Sequence, residues 1–340
     1  MRKQQQVESI EEMTGEALIA QLRLSKDLQL AARLLSREQI RFLVDLYYIL
    51  QENRIRAQAQ VRTAGEEPNL LISWTYDLYR QLETDVRQAL LHFAEGHIPG
   101  QWALSVKGIG PVLAAGLIAR IDITKTPTVG ALWRRAGYDP TSHWLGKGDA
   151  QRIMKKYPGP LSDEVLVEIA RETGRNASRL YQACVDPDTG EVSRAALTAL
   201  LAKRPWDAAL KRLCWLAGQS FVKSSGREGS FYGPLYRQRK LYEMQKNEEG
   251  AYADEAARVL KEKFYGKDTE AYKWYAQGKL PPAHIQARVE RWVVKLFLSH
   301  LHAVMYEDYF GKPAPRPYII AIGGHQDYIE IPNWPILSNK

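Results

Sequence analysis

The residues best suited to do chemistry in this chain run from Trp102 to Ile121: Trp-Ala-Leu-Ser-Val-Lys-Gly-Ile-Gly-Pro-Val-Leu-Ala-Ala-Gly-Leu-Ile-Ala-Arg-Ile. The chemistry is that of holding a phosphate. Gly108 and Gly110 bracket Ile109 in a turn that glycine alone makes this sharply while letting a phosphate oxygen reach the main chain. Pro111 opens a second helix at the position where its missing N–H costs nothing. Leu113, Leu117 and Ile121 recur every four residues as an apolar stripe on that helix, and Ala114, Ala115 and Gly116 let a partner helix come close. The spacing predicts a helix-hairpin-helix over 102–121. Its loop N–H groups and the first turn of the second helix form a positive nest, with Lys107 beside it as a point charge. Such a site reads backbone, not base sequence. The plainer alternative is a Gly-X-Gly turn between two core helices.

A second group of cations lies further on. Between Lys203 and Lys246 the chain carries Lys203, Arg204, Lys211, Arg212, Lys223, Arg227, Arg237, Arg239, Lys240 and Lys246 against only Asp207, Glu228 and Glu243. Local excess matters because attraction to phosphate acts within a Debye length of about 8 Å. Phe231, Tyr232, Tyr236 and Tyr242 interleave with these cations, as aromatic side chains do along a nucleic-acid groove. A solvated helical face with core aromatics is the alternative. Lys211, Arg212, Lys223, Arg227, Arg237, Arg239 and Lys240 are the candidate contacts here, and Arg120, Arg134 and Arg135 extend the contact at the hairpin. Over the whole chain, 47 Lys and Arg face 39 Asp and Glu, a net charge of +8 that suits an anionic partner.

Composition narrows the class. A chain of 340 residues buries a sizeable core and divides into two or three domains. No apolar run approaches the roughly 18 residues that cross a bilayer, and the first residues, Met-Arg-Lys-Gln-Gln-Gln-Val-Glu, lack the apolar core of a signal peptide. A cytoplasmic protein is expected, with no membrane partner. Cys184 and Cys214 are the only cysteines, with no Cys/His cluster, so neither a disulfide framework, a metal nor a cofactor is expected; both read as buried small hydrophobes.

The elements that must position these residues are helical. Leu18, Leu22, Leu28 and Leu34 keep helical spacing after a polar lead. Ser36 and Gln39 form a capping box before a long helix whose face is Ile40, Leu43, Val44, Tyr47, Leu50 and Ile55. Ala64–Asn69 breaks it, and Leu70–Phe93 is helical again, with Tyr79, Leu82, Val86 and Leu90 on one face. The expectation is two long antiparallel helices, a coiled-coil-like arm over 1–95, with Gly96–Gly100 as its boundary. Val129–Ala136 reads as a short helix with Arg134 and Arg135 exposed, and 138–160 as an ordered loop. Two short helices follow over 161–184, turning at Thr173-Gly174 in the manner of a helix-turn-helix. Further helices fall near 193–203, 206–225, 234–246, 251–264 and 283–310, with 226–233 a flexible link. The tail over 311–340 is irregular, with a strand-like Tyr318–Ile322. The fold class is mainly α: an arm, a hairpin-containing helical domain over 96–310, and a small irregular or β tail.

Val106–Asp122, followed by Gly130-Ala-Leu-Trp-Arg-Arg-Ala-Gly-Tyr-Asp-Pro140, resembles the C-terminal domain of Piv/MooV-type DNA invertases and DEDD insertion-sequence transposases. Leu210–Gly218, Phe231–Lys240 and Ala287–Met305 are similar to that family's later helices in the same order. The resemblance covers about 100–310, with an insertion near 150–205. It implies DNA recombination or transposition as the setting, and it equates the two N-terminal helices with the family's coiled-coil arm. Two departures bear on catalysis. The family's N-terminal RNase-H-like domain presents its acids from strands, whereas Glu8, Glu11, Glu12, Asp27, Glu38, Asp45 and Asp77 fall on helical or unstructured sequence. The family's nucleophilic serine aligns with Trp144 or Leu145, and Ser142, with His143 beside it, comes two or three residues early.

The expectation is a phage or mobile-element protein that binds DNA or structured RNA without its own nuclease centre. It would act as a homodimer or higher homo-oligomer, alongside a separate nuclease or recombinase subunit. Two alternatives differ in class: a serine-type strand-transfer recombinase using Ser142, Ser224, Ser225 or Ser230, and a structural or assembly protein in which the hairpin only packs.

Overall fold

The computed structural model describes residues 25–63, 69–141, 144–187, 189–316 and 328–336, and these are mainly helical. The one β pairing among them is an isolated antiparallel bridge between Val185 and Val192. The expected helical spacing at Leu18 and Leu22 and the strand-like 318–322 lie outside the described residues.

A short helix α1 (Lys26–Ala31) leads to α2 (Arg37–Thr63) and α3 (Leu70–Glu95). The capping box starts α2: Gln39 N–H donates to Ser36 Oγ at 3.2 Å while Ser36 N–H donates to Gln39 Oε1 at 2.8 Å. Asn69 caps α3 by accepting from Leu71 N–H at 2.9 Å. The two helices run antiparallel, each about 40 Å long at 1.5 Å per residue. Arg54 of one is held to Glu83 of the other at 2.5 Å.

The chain forms two compact units. The first contains the described residues of Met1–Val129 and Leu213–Lys340, and the second is Gly130–Arg212. The divisions between these units fall at 129/130 and 212/213, and residues 150–205 lie inside the second unit. At 96–100 the chain makes a close junction in which Gly100 nearly touches the carbonyl of Ala94; a Cβ there would stand 2.1 Å from that oxygen. The arm then packs directly on the hairpin. Arg41 Nε donates to the carbonyl of Ala119 at 2.9 Å, and Arg37 Nη1 to that of Ile121 at 3.2 Å, satisfying carbonyls left open at a helix end.

In the first unit, α4 (Ile98–Ser105) and α5 (Pro111–Arg120) form the hairpin. In place of a single apolar stripe, α5 is buried from Val112 to Arg120 apart from the half-buried Leu113. Gly116 is needed there, since a Cβ would meet Leu213 at 2.8 Å. In the second unit, the continuation after α6 (Val129–Ala136) is α7 (Gly146–Lys156), α8 (Asp163–Thr173), α9 (Ala177–Cys184) and α10 (Arg194–Ala202). The loop expected over 138–160 thus contains a helix, whose Ala150, Ile153 and Met154 join Leu166, Ile169, Leu180, Leu197 and Leu201 in this unit's core. The turn between α8 and α9 is as read: Gly174 sits at φ +65 and Asn176 caps the next helix.

Helix α11 (Ala208–Lys223) carries the chain back into the first unit, followed by α12 (Tyr232–Glu248), α13 (Ala253–Glu262), α14 (Glu270–Ala276) and α15 (Pro282–Phe310). Helix α15 packs against α4 and α12. Its Val289, Val293, Phe297 and Leu301 are fully buried at four-residue spacing, and Phe297 stacks on Trp102 of the hairpin with ring centres 5.8 Å apart. Both cysteines are buried and free, as read. No helix among the described residues is long and apolar enough to cross a membrane.

Candidate nucleic-acid interface

The hairpin loop is built by one glycine and left open by the other. Gly108 has φ +106, a backbone region that side chains with a Cβ rarely enter, and a Cβ there would lie 3.2 Å from Ser220 Oγ. Gly110 has φ −95 and ψ 177, ordinary extended backbone, with nothing within 4 Å of the place a Cβ would take. The expectation that both glycines are demanded by the turn is corrected: Gly108 is required by conformation, and Gly110 leaves space. That space is the approach to the first turn of α5, whose N-terminus no side chain caps.

Behind the loop, the main chain is held from two sides. Ser220 Oγ donates to the carbonyl of Gly108 at 2.5 Å, and Lys107 Nζ donates to the carbonyl of Glu228 at 2.8 Å. Lys107 is exposed, and an ammonium bonded to one carbonyl keeps two further donors. Ile109 is buried and anchors the loop. The segment 224–230 is not a flexible link. It is a closed turn in which Ser224 and Ser230, both nearly buried, share a 3.4 Å contact between hydroxyls, and Arg227 N–H donates to the carbonyl of Ser224 at 3.0 Å. The hairpin loop touches this turn, so exposed Lys223 and Arg227 stand on the segment that backs it.

The remaining cations sort by what they already touch. Arg120 is 9% exposed and its Nη2 reaches both oxygens of Asp45 at 3.2 Å, so it fastens the arm to α5. Arg239 pairs at 2.5 Å with Glu243, a carboxylate only 1% exposed, which also receives Arg288 at 2.8 Å. Those two guanidinium groups, with the Tyr252 hydroxyl, hold the Glu243 carboxyl below its ordinary range despite burial. Lys240 donates to Gln286 at 3.1 Å. Arg237, like Lys223 and Arg227, is exposed with no ion-pair partner among the described residues. The aromatic residues between them are not a groove: Tyr232 is fully buried and Tyr236 nearly so. Phe221 and Phe297 lie against Tyr232 at 4.7 and 5.5 Å. The reading of 231–236 as interleaved stacking residues gives way to core packing, while Tyr242 is exposed beneath Arg239.

Lys246 pairs with Glu249 at 3.5 Å, and the first four cations of the block, Lys203, Arg204, Lys211 and Arg212, belong to the second unit. There Arg134 is exposed and paired with Asp139 at 2.9 Å, and Arg135 is half-buried. Lys211 lies over the Trp206 ring at 4.0 Å, Arg212 is exposed, and Arg204 lies over Trp144 at 4.7 Å.

Ser142 and His143 lie outside the described residues. Trp144 donates its Nε1–H to the carbonyl of Ala202 at 2.8 Å. Ser224 and Ser230 spend their hydroxyls inside the buried turn, and Gly233 N–H donates to Ser230 Oγ at 3.3 Å. No group of three or more His, Cys, Asp or Glu side chains among the described residues is arranged to hold a metal ion. The chain matches no protein-family model, no curated protein and no solved structure.

Sequence reasoning missed one arrangement around His300. Its Nε2 lies 3.0 Å from the carbonyl of Ile329, which can only accept, so the proton is on Nε2 and Nδ1 accepts from the Tyr232 hydroxyl at 2.7 Å. Burial depresses the imidazole to about 4. With Trp102 Nε1 donating to Pro332 at 2.8 Å and Asn333 Nδ2 to the Ser105 carbonyl at 3.1 Å, it ties the segment 328–336 across α4 and α15. No spacing in the sequence announces a contact between residues so far apart.

Proposed function

We propose that this protein binds the sugar-phosphate backbone of nucleic acid through its helix-hairpin-helix and serves DNA recombination or transposition without a nuclease centre of its own. The observation that carries the reading is the open, uncapped N-terminus of α5 beside Gly110, on a loop whose other side is fixed by Ser220 and whose flank bears the exposed Lys107. A phosphate there accepts from main-chain N–H groups, gains from the positive end of the helix and meets an ammonium. Lys223 and Arg227 add charge on the backing turn. The resemblance of 106–140 to the invertase and transposase domain supplies the recombination setting, and the arm supplies a surface for a second copy.

The decisive preparation is the purified chain itself. Bound nucleic acid, seen in its ultraviolet absorbance ratio and then sequenced, is the expected result. A preparation free of nucleic acid that also fails to bind duplex at low salt would leave the hairpin a packing device and favour an assembly role.

A further inference from the structure

We propose that the arm carries a second anion site, a cleft that takes backbone phosphates of the same nucleic acid; the inference rests on the hairpin reading above. The cleft holds about 180 Å³ and is lined by Arg54 of α2 and by Tyr76, Arg80, Glu83, Thr84 and Arg87 of α3. The α3 residues recur at spacings of three and four, so one helical face supplies them.

Three guanidinium groups share this cleft with one carboxylate. Glu83, whose side chain is 12% exposed, is taken by Arg54 at 2.5 Å and also accepts from Gln51 Nε2 at 3.4 Å. The Thr84 hydroxyl is used on the carbonyl of Arg80 at 2.8 Å. Arg80 and Arg87 are exposed and have no ion-pair partner among the described residues. The cleft is therefore a positive site whose only internal counter-charge is already committed. A guanidinium presents a planar fork of donors that fits phosphate oxygens.

Spacing selects the source of the phosphate. Arg80 and Arg87 are seven residues apart, about 10 Å along the helix axis, a separation wider than a single small ion, so the two guanidinium groups can each reach a different phosphate of a backbone. Helix α3 also leads straight into α4 of the hairpin, with Arg87 about 12 Å along the axis from Glu95 at its end. One helical turn of duplex, about 34 Å, is long enough to lie along this stretch of arm.

The test uses the full chain, a labelled duplex of ~24 base pairs and a salt series read by fluorescence anisotropy. The double variant Arg80→Gln/Arg87→Gln should bind about tenfold more weakly at low salt, and its slope of log affinity against log salt should be shallower by about two. Arg56→Gln, an exposed arm arginine paired with Glu52 at 2.5 Å, should behave like the parent. All three proteins should melt alike, since neither Arg80 nor Arg87 is buried. If the parent binds and the double variant keeps its affinity and slope, the cleft is not a phosphate site. If the parent binds no duplex at all, the hairpin reading fails and the inference falls with it. Inorganic phosphate separates the remaining source: if it raises the melting temperature of the parent but not of the double variant, while duplex binding is equal in both, the cleft takes free phosphate and the nucleic-acid assignment is wrong.

Discussion

The Ser220 hydroxyl donates to the carbonyl of Gly108 across 112 residues of sequence at 2.5 Å, fixing the back of the hairpin loop to the end of α11. The loop is thus seated on α11, and within it Ile109 N–H donates to the carbonyl of Val106 at 3.0 Å, while the space beside Gly110 stays open. On the proposed reading, a loop held in this way would bind phosphate with little main-chain freedom left to lose.

That seat predicts different behaviour for the two glycines. Gly108→Val places a branched side chain at φ +106 and against Ser220 and Phe221, and should destabilise the fold by about 2 kcal/mol. Gly110→Ala, in open space at φ −95, should cost no more than about 1 kcal/mol, the scale of an altered helix cap. Urea denaturation followed by circular dichroism reads both, and equal losses would show that the loop is not seated as described.

Arg239 should matter to stability before it matters to binding. Arg239→Ala strips one of two guanidinium groups from the buried Glu243 and should destabilise by about 2 kcal/mol, since Arg288 and the Tyr252 hydroxyl still hold the carboxylate. Arg237→Ala, exposed on the same helix, should leave the melting temperature within a degree or two and weaken duplex binding two- to fivefold. The opposite assignment, with Arg239 dispensable for folding, would place Glu243 elsewhere than in this network.

Acid should loosen the protein through His300. Its folded value, about 4, lies below the ordinary 6.5, so the unfolded chain binds more protons between those values and stability falls as pH drops through that window, by up to about 3 kcal/mol. His302, held neutral by burial and donating from Nε2 to the carbonyl of Thr126 at 2.8 Å, acts in the same direction. Glu243 adds a loss at lower pH, as its depressed carboxyl is finally protonated. His300→Gln should be less stable than the parent at pH 7 and show a flatter decline between 6.5 and 4. Parallel pH profiles for the two proteins would remove His300 as the cause.

The helices were legible in the sequence wherever local rules decide them. The Ser36/Gln39 box and the turn at Thr173-Gly174 are short-range signals, and the structure has both; the long helix expected over 283–310 is α15. Helix α7 was not legible, because Gly146, Gly148, Lys147, Lys155 and Lys156 surround an apolar face of only Ala150, Ile153 and Met154. The hairpin's glycines look alike in sequence, yet their difference is set by Ser220 and Phe221, which lie more than a hundred residues away. The fates of Arg120 and Arg239 depend likewise on Asp45 and Glu243, partners that charge counting does not pair. Tyr232 and Tyr236 illustrate the same limit: aromatic residues among cations look identical in sequence whether they face a groove or a core.

The most direct measurement is duplex affinity of the parent and of Gly110→Asp across ~50 to ~200 mM salt, using two unrelated sequences. Aspartate at this extended position caps α5 and keeps or raises stability, while its carboxylate occupies the N–H groups offered to phosphate and repels the backbone. The account predicts that the parent binds both sequences alike, loses at least tenfold in affinity over this salt range, and binds at least tenfold more tightly than a fully folded Gly110→Asp. A folded Gly110→Asp that binds as the parent does, with the same dependence on salt, would contradict the hairpin as the phosphate site.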